Sequence, residues 1–270
     1  MAYGKDVMIY EVQGDAVSSI FAGWDASMIK SCLQGIMGRL YAEDLKKPAG
    51  GMAAIGDFRF FDGCPDEQFL EALPLDAYLI LTARKPEWFP LFERRFGRRA
   101  RRITRYAFRH EKVFDLEQLR QIEESIDPRY ALRQIDAGLY EQCLENSWSR
   151  DFVSLFGDYE TFERLGIGVA ALDGDRMVSG ASSYVRYDEG IEIEVDTDPA
   201  ARRRGLAAAC AAKLIRLCLD RGLTPCWDAH TAISAALAEK LGFRMSGPYT
   251  AFEINGDEYS AKTQEEGTCD

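Results

Sequence analysis

A basic turn between a strand and a long helix is the feature that most constrains how this chain folds. Residues 191–195 read IEIEV and alternate apolar and acidic side chains, as a half-buried strand does. The turn at residues 196–207 reads DTDPAARRRGLA. Apolar side chains then recur at helical spacing at Leu206, Cys210, Leu214, Leu217 and Cys218. The stretch predicts a strand, a tight turn and an amphipathic helix in succession.

The start of this helix is predicted to bind an anion. Backbone N–H groups in the first turn of a helix have no intrahelical partner and lie at the positive end of the helix dipole, so they stabilise a phosphate. Arg202, Arg203 and Arg204 add charge, and Gly205 lets the backbone approach a ligand closely. The alternative is a basic loop whose arginines pair with the acidic residues of the preceding strand.

Two further elements follow the helix. Residues 223–229 read LTPCWDA and predict a strand, and Thr231 can cap a second helix that ends in the LGF sequence at residues 241–243. This order of elements resembles the GNAT superfamily of N-acetyltransferases. That family has a signature of Arg or Gln, two residues, Gly, one residue, then Gly or Ala, and this signature wraps the pyrophosphate of acetyl-CoA.

Arg202, Gly205 and Ala207 match the signature, and Thr197 and Pro199 stand at positions that commonly precede it. The resemblance covers roughly residues 128–256. More narrowly, the segments WSRDF, EIEVDTDP, WDAHT and LAEKLGF resemble the two-domain zwittermicin A resistance type. The resemblance implies an acetyl-CoA dependent N-acetyltransferase that acts on a primary amine of a small molecule, such as an antibiotic-like metabolite.

The resemblance also implies a set of residues that contact acetyl-CoA, a co-substrate used without a metal. They are Val195, Thr197, Arg202, Arg203, Arg204, Gly205, Leu206, Ala207 and Thr231. The backbone at residues 195–197 would face the thioester oxygen. The family often has a tyrosine in the helix before LGF, where this chain has Ala238. That difference leaves open a catalytically silent acyl-CoA binding or sensing module, and a protein or RNA acetyltransferase is another alternative.

Amine acetylation requires a proton acceptor, because an alkylamine of pKa ~10.4 is almost wholly protonated at neutral pH. Carboxylates near the site are the expected general bases. Glu192 is the first candidate, Glu194 lies on the same predicted strand face, and Asp228 ends the next strand. Tyr249 is the candidate acid for the departing thiolate. Each carboxylate could equally be a surface residue or a helix cap.

Composition limits the partners of this chain. The net charge is -11 and the sequence pI is near 4.9, which disfavours nucleic acid as the main partner. Seven cysteines without a Cys-x-x-Cys pair indicate a reducing compartment. The sequence has no apolar run of ~20 residues and no export signal, so we expect a cytoplasmic protein without a membrane partner. Monomer and homodimer both remain open.

The predicted fold class is α/β (α+β), with a C-terminal GNAT-like mixed sheet and flanking helices and a smaller N-terminal α/β domain. The predicted domains are residues 1–126 and 127–260, followed by a polar tail at residues 261–270, because Asp127 and Pro128 interrupt the helical pattern. Within the first domain we predict a helix from Asp25 to about Leu45.

A basic segment from Arg94 to His110 stands out in this acidic chain. It could bind the 3′-phosphate of CoA, an anionic acceptor or RNA. The favoured interpretation is a helix end and strand edge whose arginines pair with the surplus carboxylates.

Overall fold

A computed structural model of the chain describes residues 8–256. Their contacts divide them into two compact units, residues 8–104 with 250–256 and residues 105–249. The predicted polar tail at residues 261–270 lies outside the described residues.

Helices are interspersed among the strands throughout residues 8–256. The elements up to residue 108 are β1 (Tyr10–Val12), α1 (Gly14–Val17), α2 (Ser27–Gln34), β2 (Arg39–Ala42), β3 (Gly50–Ile55), β4 (Phe58–Gly63), α3 (Gln68–Glu71), β5 (Leu79–Ala83), α4 (Phe89–Phe96) and β6 (Ala100–Phe108). The elements that follow are α5 (Leu116–Glu124), β7 (Tyr130–Gln134), α6 (Ala137–Glu145), α7 (Tyr159–Leu165), β8 (Gly168–Asp173), β9 (Arg176–Tyr187), β10 (Gly190–Thr197), α8 (Leu206–Asp220), β11 (Thr224–Cys226), β12 (Asp228–Ala229), α9 (Ala232–Lys240) and β13 (Met245–Ile254).

The first unit is a mixed sheet covered by short helices. Its strands lie in an eight-stranded sheet of the order β1, β2, β3, β4, β5, β13, β6, β12, and β4 and β5 run parallel to each other. Aromatic side chains fill its core, and the ring centroids of Phe61 and Trp88 lie 4.9 Å apart. Burial of such rings contributes to the stability of this unit through the hydrophobic effect.

The helix predicted from Asp25 to about Leu45 forms only at Ser27–Gln34, so its predicted end is wrong. The helix α2 ends at Gln34, because Gly35 adopts a left-handed conformation at φ 69° and its N–H bonds to the carbonyl groups of Cys32 and Ser31. The following residues form β2, which pairs with β1 and β3. Pairing between strands overrides the apolar spacing that suggested a continuous helix.

The second unit contains a five-stranded sheet in the order β11, β10, β9, β8, β7. Neighbouring strands are antiparallel except for β10 and β11. The helix α8 packs on this sheet with its apolar face, and Leu206, Cys210 and Leu214 are buried as the helical spacing predicts. The predicted mixed α/β class with flanking helices is confirmed.

The helix α5 belongs to the second unit. Leu119 and Ile122 of α5 lie in the same core cluster as α8. The division at residue 105 therefore differs from the predicted boundary at Asp127 and Pro128, which would place α5 with the first domain.

Candidate active site

The strands β10 and β11 pair only briefly before they separate. Their parallel register covers three pairs and ends with Glu192 opposite Cys226. The next strand, β12, pairs with β6 instead, so that Asp228 lies opposite Ala107. This separation leaves the remainder of β10 without β11 as a neighbour and creates an opening beside residues 193–197.

An irregularity in β10 coincides with this opening. The register between β10 and β9 shifts between Glu192 and Ile193, which interrupts the alternation of side chains. Glu192 is only 5% exposed, whereas Glu194 and Asp196 are partly exposed. Glu192 and Glu194 therefore lie in different surroundings.

Glu194 is the carboxylic acid with the most perturbed acidity in this region. Burial of its carboxyl group, followed by repulsion from Asp151 and Asp196, raises the pKa of Glu194 to about 8. The positive charge of Arg105 and the backbone N–H of Val195 oppose this shift. A carboxyl group with a pKa near neutrality can both accept and release a proton at physiological pH.

Asp151 was not among the predicted site residues. It lies in a short 3₁₀ turn, Arg150–Phe152, that contacts β9 and β10. Burial raises the pKa of Asp151, and burial also raises the pKa of Asp196. The WSRDF segment contains Asp151, so the resemblance offered a signal, but no local pattern connected this turn to β10.

A hydrogen-bonded network includes the other two predicted catalytic residues. The Nε of Arg105 donates to Asp228 Oδ1 at 2.7 Å, and the Tyr249 hydroxyl donates to Asp228 Oδ2 at 2.7 Å. Burial, and then the charge of Asp228, raise the pKa of Tyr249 well above its ordinary value of 10. The structure thus brings Asp228 and Tyr249 together through Arg105, which sequence reasoning did not select.

The basic turn at residues 196–207 joins β10 to α8, as the sequence predicts. A 3₁₀ turn at Pro199–Ala201 leads to left-handed conformations at Arg203, with φ 63°, and Gly205, with φ 79°. The first backbone hydrogen bond into α8 runs from Ala209 N–H to Gly205 O at 3.1 Å. The N–H groups that precede Ala209 in the first turn are therefore available to an anion. An added Cβ at Gly205 would meet no atom within 4 Å, so the turn faces open space.

The arginines of the turn differ in their contacts. Arg202 donates from Nε to Thr197 O at 3.2 Å and lies 3.6 Å from Asp196. Arg204 donates to the Tyr130 hydroxyl at 2.6 Å. Arg203 is exposed, and within residues 8–256 no hydrogen bond or ion pair is recorded for its side chain. Arg202 and Arg204 shape the turn, and Arg203 is the arginine most available to a ligand.

The remaining predicted contacts are distributed along β10 and α9. The N–H of Thr197 donates to Asp196 Oδ1 at 2.6 Å, and the Thr197 hydroxyl lies 2.7 Å from that of Ser179. Thr231 caps α9, as its hydroxyl accepts from Ser234 N–H at 3.1 Å. Leu206 is buried under the turn and Ala207 is partly exposed. Ala238, where the family often has tyrosine, is fully buried.

Arginines of the basic segment form hydrogen bonds and ion pairs with other residues of the chain. Arg102 pairs with Glu93 at 3.0 Å, and Arg101 forms an ion pair with the buried Glu253. Arg95 and Arg99 donate to the backbone carbonyl groups of Leu70 and Leu75, respectively. Arg94 forms an ion pair with Glu67, and Arg105 forms one with Asp228. Pairing with carboxylates is confirmed for Arg94, Arg101, Arg102 and Arg105. The predicted strand edge is wrong, because β6 has neighbours on both sides.

No group of three or more His, Cys, Asp or Glu residues that could hold a metal occurs between residues 8 and 256. Burial raises the pKa of the Cys210 and Cys218 thiols to about 12, so these thiols stay protonated in the core. In the same residues, no helix has both the length and the apolar composition needed to cross a membrane.

Comparison with known proteins adds family evidence to this geometry. A family model described as GNAT acetyltransferase matches residues 18–252. A crystal structure of a GCN5-related N-acetyltransferase-like protein from Streptococcus suis 89/1591 is 42% identical with a TM-score of 0.86, covering 90% of this chain and 98% of that one.

Other similarities are weaker. An uncharacterized N-acetyltransferase, YdfB, from Bacillus subtilis (strain 168) is 30% identical over 150 residues, which are 51% of this chain and 58% of YdfB. The match thus spans little more than half the length of that relative. A GCN5-related N-acetyltransferase from Kribbella flavida is 14% identical with a TM-score of 0.54, covering 92% of this chain and 96% of that one, and it supports the fold alone.

Proposed function

This chain belongs to the GNAT acetyltransferase family and is an N-acetyltransferase, and we propose that it transfers the acetyl group of acetyl-CoA to a primary amine of a small molecule. The observation that carries this proposal is that one unit contains both a phosphate-binding turn and, on the strand before it, a carboxyl group with a pKa of about 8. Fold alone would not specify an acceptor, so the proposal rests on these side chains.

The turn at residues 202–207 fits the pyrophosphate of acetyl-CoA. Its N–H groups precede the first hydrogen bond of α8, and the open space at Gly205 permits close approach of a phosphate. Arg203 adds a positive charge from the solvent side. When bound, acetyl-CoA supplies a thioester carbonyl group that an amine can attack.

Glu194 is the proposed general base. An acceptor amine of pKa ~10.4 must lose a proton before its lone pair can react. A carboxylate whose conjugate acid has a pKa of about 8 is a stronger base than an ordinary glutamate. The difference in pKa between Glu194 and the acceptor ammonium group is therefore smaller, which favours proton transfer. Glu194 therefore takes the place of Glu192 as the first candidate.

The charges around Glu194 favour a cationic acceptor. Asp151 and Asp196 lie close enough to Glu194 to raise its pKa, and both keep partial contact with solvent. Carboxylates of like charge in one place attract an ammonium group and orient it. An aminated, antibiotic-like metabolite, as expected for the zwittermicin A resistance type, has this chemistry.

The departing thiolate requires little help from the protein. The helical position at which the family often has tyrosine is the buried Ala238. A thiol of pKa near 8.5 is a fair leaving group at neutral pH. We therefore propose that the reaction proceeds without a dedicated acid. The described cysteines are thiols, which fits the reducing cytoplasm that we propose as the location.

A thiol-release assay tests this function. The protein would be mixed with acetyl-CoA and a panel of polyamines, aminoglycosides and amino acids. We expect amine-dependent release of thiol that Glu194→Gln reduces and Glu160→Gln, at an exposed position on α7, leaves intact. Binding of CoA without release of thiol by any amine would favour a silent acyl-CoA binding module instead.

A further inference from the structure

Arg105 is a buried arginine in a segment whose other arginines are mostly exposed. Arg105 is 5% exposed, whereas the side chains of Arg101 and Arg102 are more than half exposed. Its Nε donates to Asp228 Oδ1 at 2.7 Å. When one partner of a buried ion pair is removed, the other charge stays buried without compensation, which is strongly unfavourable. The Arg105–Asp228 pair therefore stabilises the arrangement in which β6 and β12 are neighbours.

The location of the pair gives it a mechanical role. β12 contains two residues, Asp228 and Ala229, which pair with Ala107 and Tyr106 of β6. Such a short strand has few backbone hydrogen bonds of its own. The Arg105–Asp228 pair and the Tyr249 hydroxyl add side-chain links that hold β12 away from β10.

The location also gives Arg105 an electrostatic role. The negative charges of Asp151 and Asp196 raise the pKa of Glu194, whereas the positive charge of Arg105 lowers it. A second cation, Arg202, lies 3.6 Å from Asp196. Without Arg105, the carboxylates around Glu194 would lose a neighbouring positive charge, and Glu194 would hold its proton more tightly.

The same geometry argues against proton transfer by Asp228 and Tyr249. Both carboxylate oxygens of Asp228 already accept hydrogen bonds. The Tyr249 hydroxyl donates its hydrogen bond to Asp228. Because the pKa of Tyr249 is raised, transfer of its proton to the thiolate of a thiol with a pKa near 8.5 is unfavourable.

We propose that Arg105, Asp228 and Tyr249 form a positioning network that holds β12 apart from β10 and keeps a buried positive charge beside the candidate site. Arg105 acts on the reaction through Glu194, and Asp228 and Tyr249 act through Arg105. This inference rests on the proposed function for its kinetic readout, but its titration readout does not depend on that function.

The titration compares the full-length wild type with Arg105→Lys, Arg105→Gln, Tyr249→Phe and Arg102→Gln, all without ligand. The carboxyl carbon of Glu194 is followed by carbon-13 NMR, with the signal assigned from Glu194→Gln. We expect Arg105→Gln to raise the pKa of Glu194 by about one unit, the lower range for loss of a nearby opposite charge. Arg105→Lys, Tyr249→Phe and the exposed control Arg102→Gln should leave it near the wild-type value.

The kinetic comparison measures turnover against pH with an acceptor amine. We expect the acid limb of Arg105→Gln to move with the Glu194 titration, and Tyr249→Phe to keep both limbs while the KM for the amine rises. If Arg105→Gln does not fold, the double variant Arg105→Gln with Asp228→Asn removes both charges of the pair, and a smaller upward shift of the Glu194 pKa is expected because the loss of the Asp228 charge partly offsets the loss of the Arg105 charge.

Two results would overturn the inference. One is a Glu194 titration that is unchanged when the charge at residue 105 is removed. The other is a Tyr249→Phe protein that loses its alkaline limb and most of its kcat, as removal of a catalytic acid would require. If the wild type acetylates no amine, the proposed function fails, and the titration still decides the electrostatic role of Arg105.

Discussion

Glu192 of β10 and Cys226 of β11 form the last parallel pair before these strands separate. Residues of β10 beyond Glu192 therefore lie beside an opening, because the next segment of chain pairs with β6. Glu192 is buried at this junction, whereas Glu194 keeps contact with solvent. The alternation of the sequence places the two glutamates on the same predicted strand face, but in the structure they differ in access to an acceptor amine.

The first prediction assigns the general base. Glu194→Gln preserves shape but cannot accept a proton, so kcat/KM with a cognate amine should fall by about a hundredfold, a typical contribution of general base catalysis. In the wild type, activity should rise with pH through about 8, as Glu194 loses its proton. The pH profile of the variant should lack this limb.

Glu192→Gln is the matched comparison on the same strand. We expect it to retain the acid limb of the profile, even if burial of the altered side chain lowers stability. Loss of that limb in Glu192→Gln but not in Glu194→Gln would return the role to Glu192, the residue that sequence alternation places first.

The second prediction concerns stability against pH. The pKa of Glu194 is about 8 in the folded protein, against an ordinary value of 4.5, chiefly because of burial. Between these values the folded protein binds a proton that the unfolded chain releases. The stabilisation from this group is therefore complete below pH 4.5 and lost as pH rises through about 8.

Urea unfolding at several pH values measures this effect. The free energy of unfolding of wild type relative to Glu194→Gln should fall steadily across that interval, while Glu160→Gln should follow wild type. A difference that stays constant with pH would mean that Glu194 titrates normally in the folded protein.

The sequence predicted the fold best where its signals are contiguous. The strand, the turn and the helix around Gly205 each have a local physical cause, and all three form as expected. The helix predicted from Asp25 was too long, because the pairing of β2 with β1 and β3 is not visible in helical spacing. Apolar spacing indicates burial but does not reveal which strands become neighbours.

The candidate site was predicted only in part for a similar reason. Glu194 and the turn residues lie on one continuous segment, so a single motif locates them. Asp151 and Arg105 reach Glu194 from distant segments, and only the folded chain brings their charges together. The shift of register after Glu192 was also invisible, since bulges depend on the neighbouring strand.

The third prediction tests whether α5 belongs to the unit for which we propose CoA binding. Leu119 is 1% exposed in the core that α5 shares with α8, and Leu116 of the same helix is 51% exposed. Leu119→Ala should destabilise the protein by about 2–5 kcal/mol, as buried leucine truncations do. Leu116→Ala should change stability little.

The readout is thermal unfolding with and without CoA. Ligand that binds only the folded state raises the melting temperature of the unit it binds. The transition that responds to CoA should be the one that Leu119→Ala lowers. A CoA-responsive transition that is unaffected by Leu119→Ala would place the boundary after α5, near the predicted Asp127.

The last prediction isolates the phosphate-binding turn with two matched glycines. Gly205 precedes α8 with φ 79°, and Gly222 follows it with φ 69°. Both are exposed, and an added Cβ would meet no atom within 4 Å at either position. Alanine in this conformation costs about 1–2 kcal/mol, so both substitutions should lower thermal stability by similar amounts.

Only the Cβ at residue 205 would occupy the space in front of the free N–H groups. Gly205→Ala should therefore weaken CoA binding by about tenfold or more, equivalent to about 1.4 kcal/mol, in a calorimetric titration, and Gly222→Ala should bind CoA as wild type does. Equal losses of CoA affinity in both variants would show that backbone strain, and not the phosphate site, causes the effect.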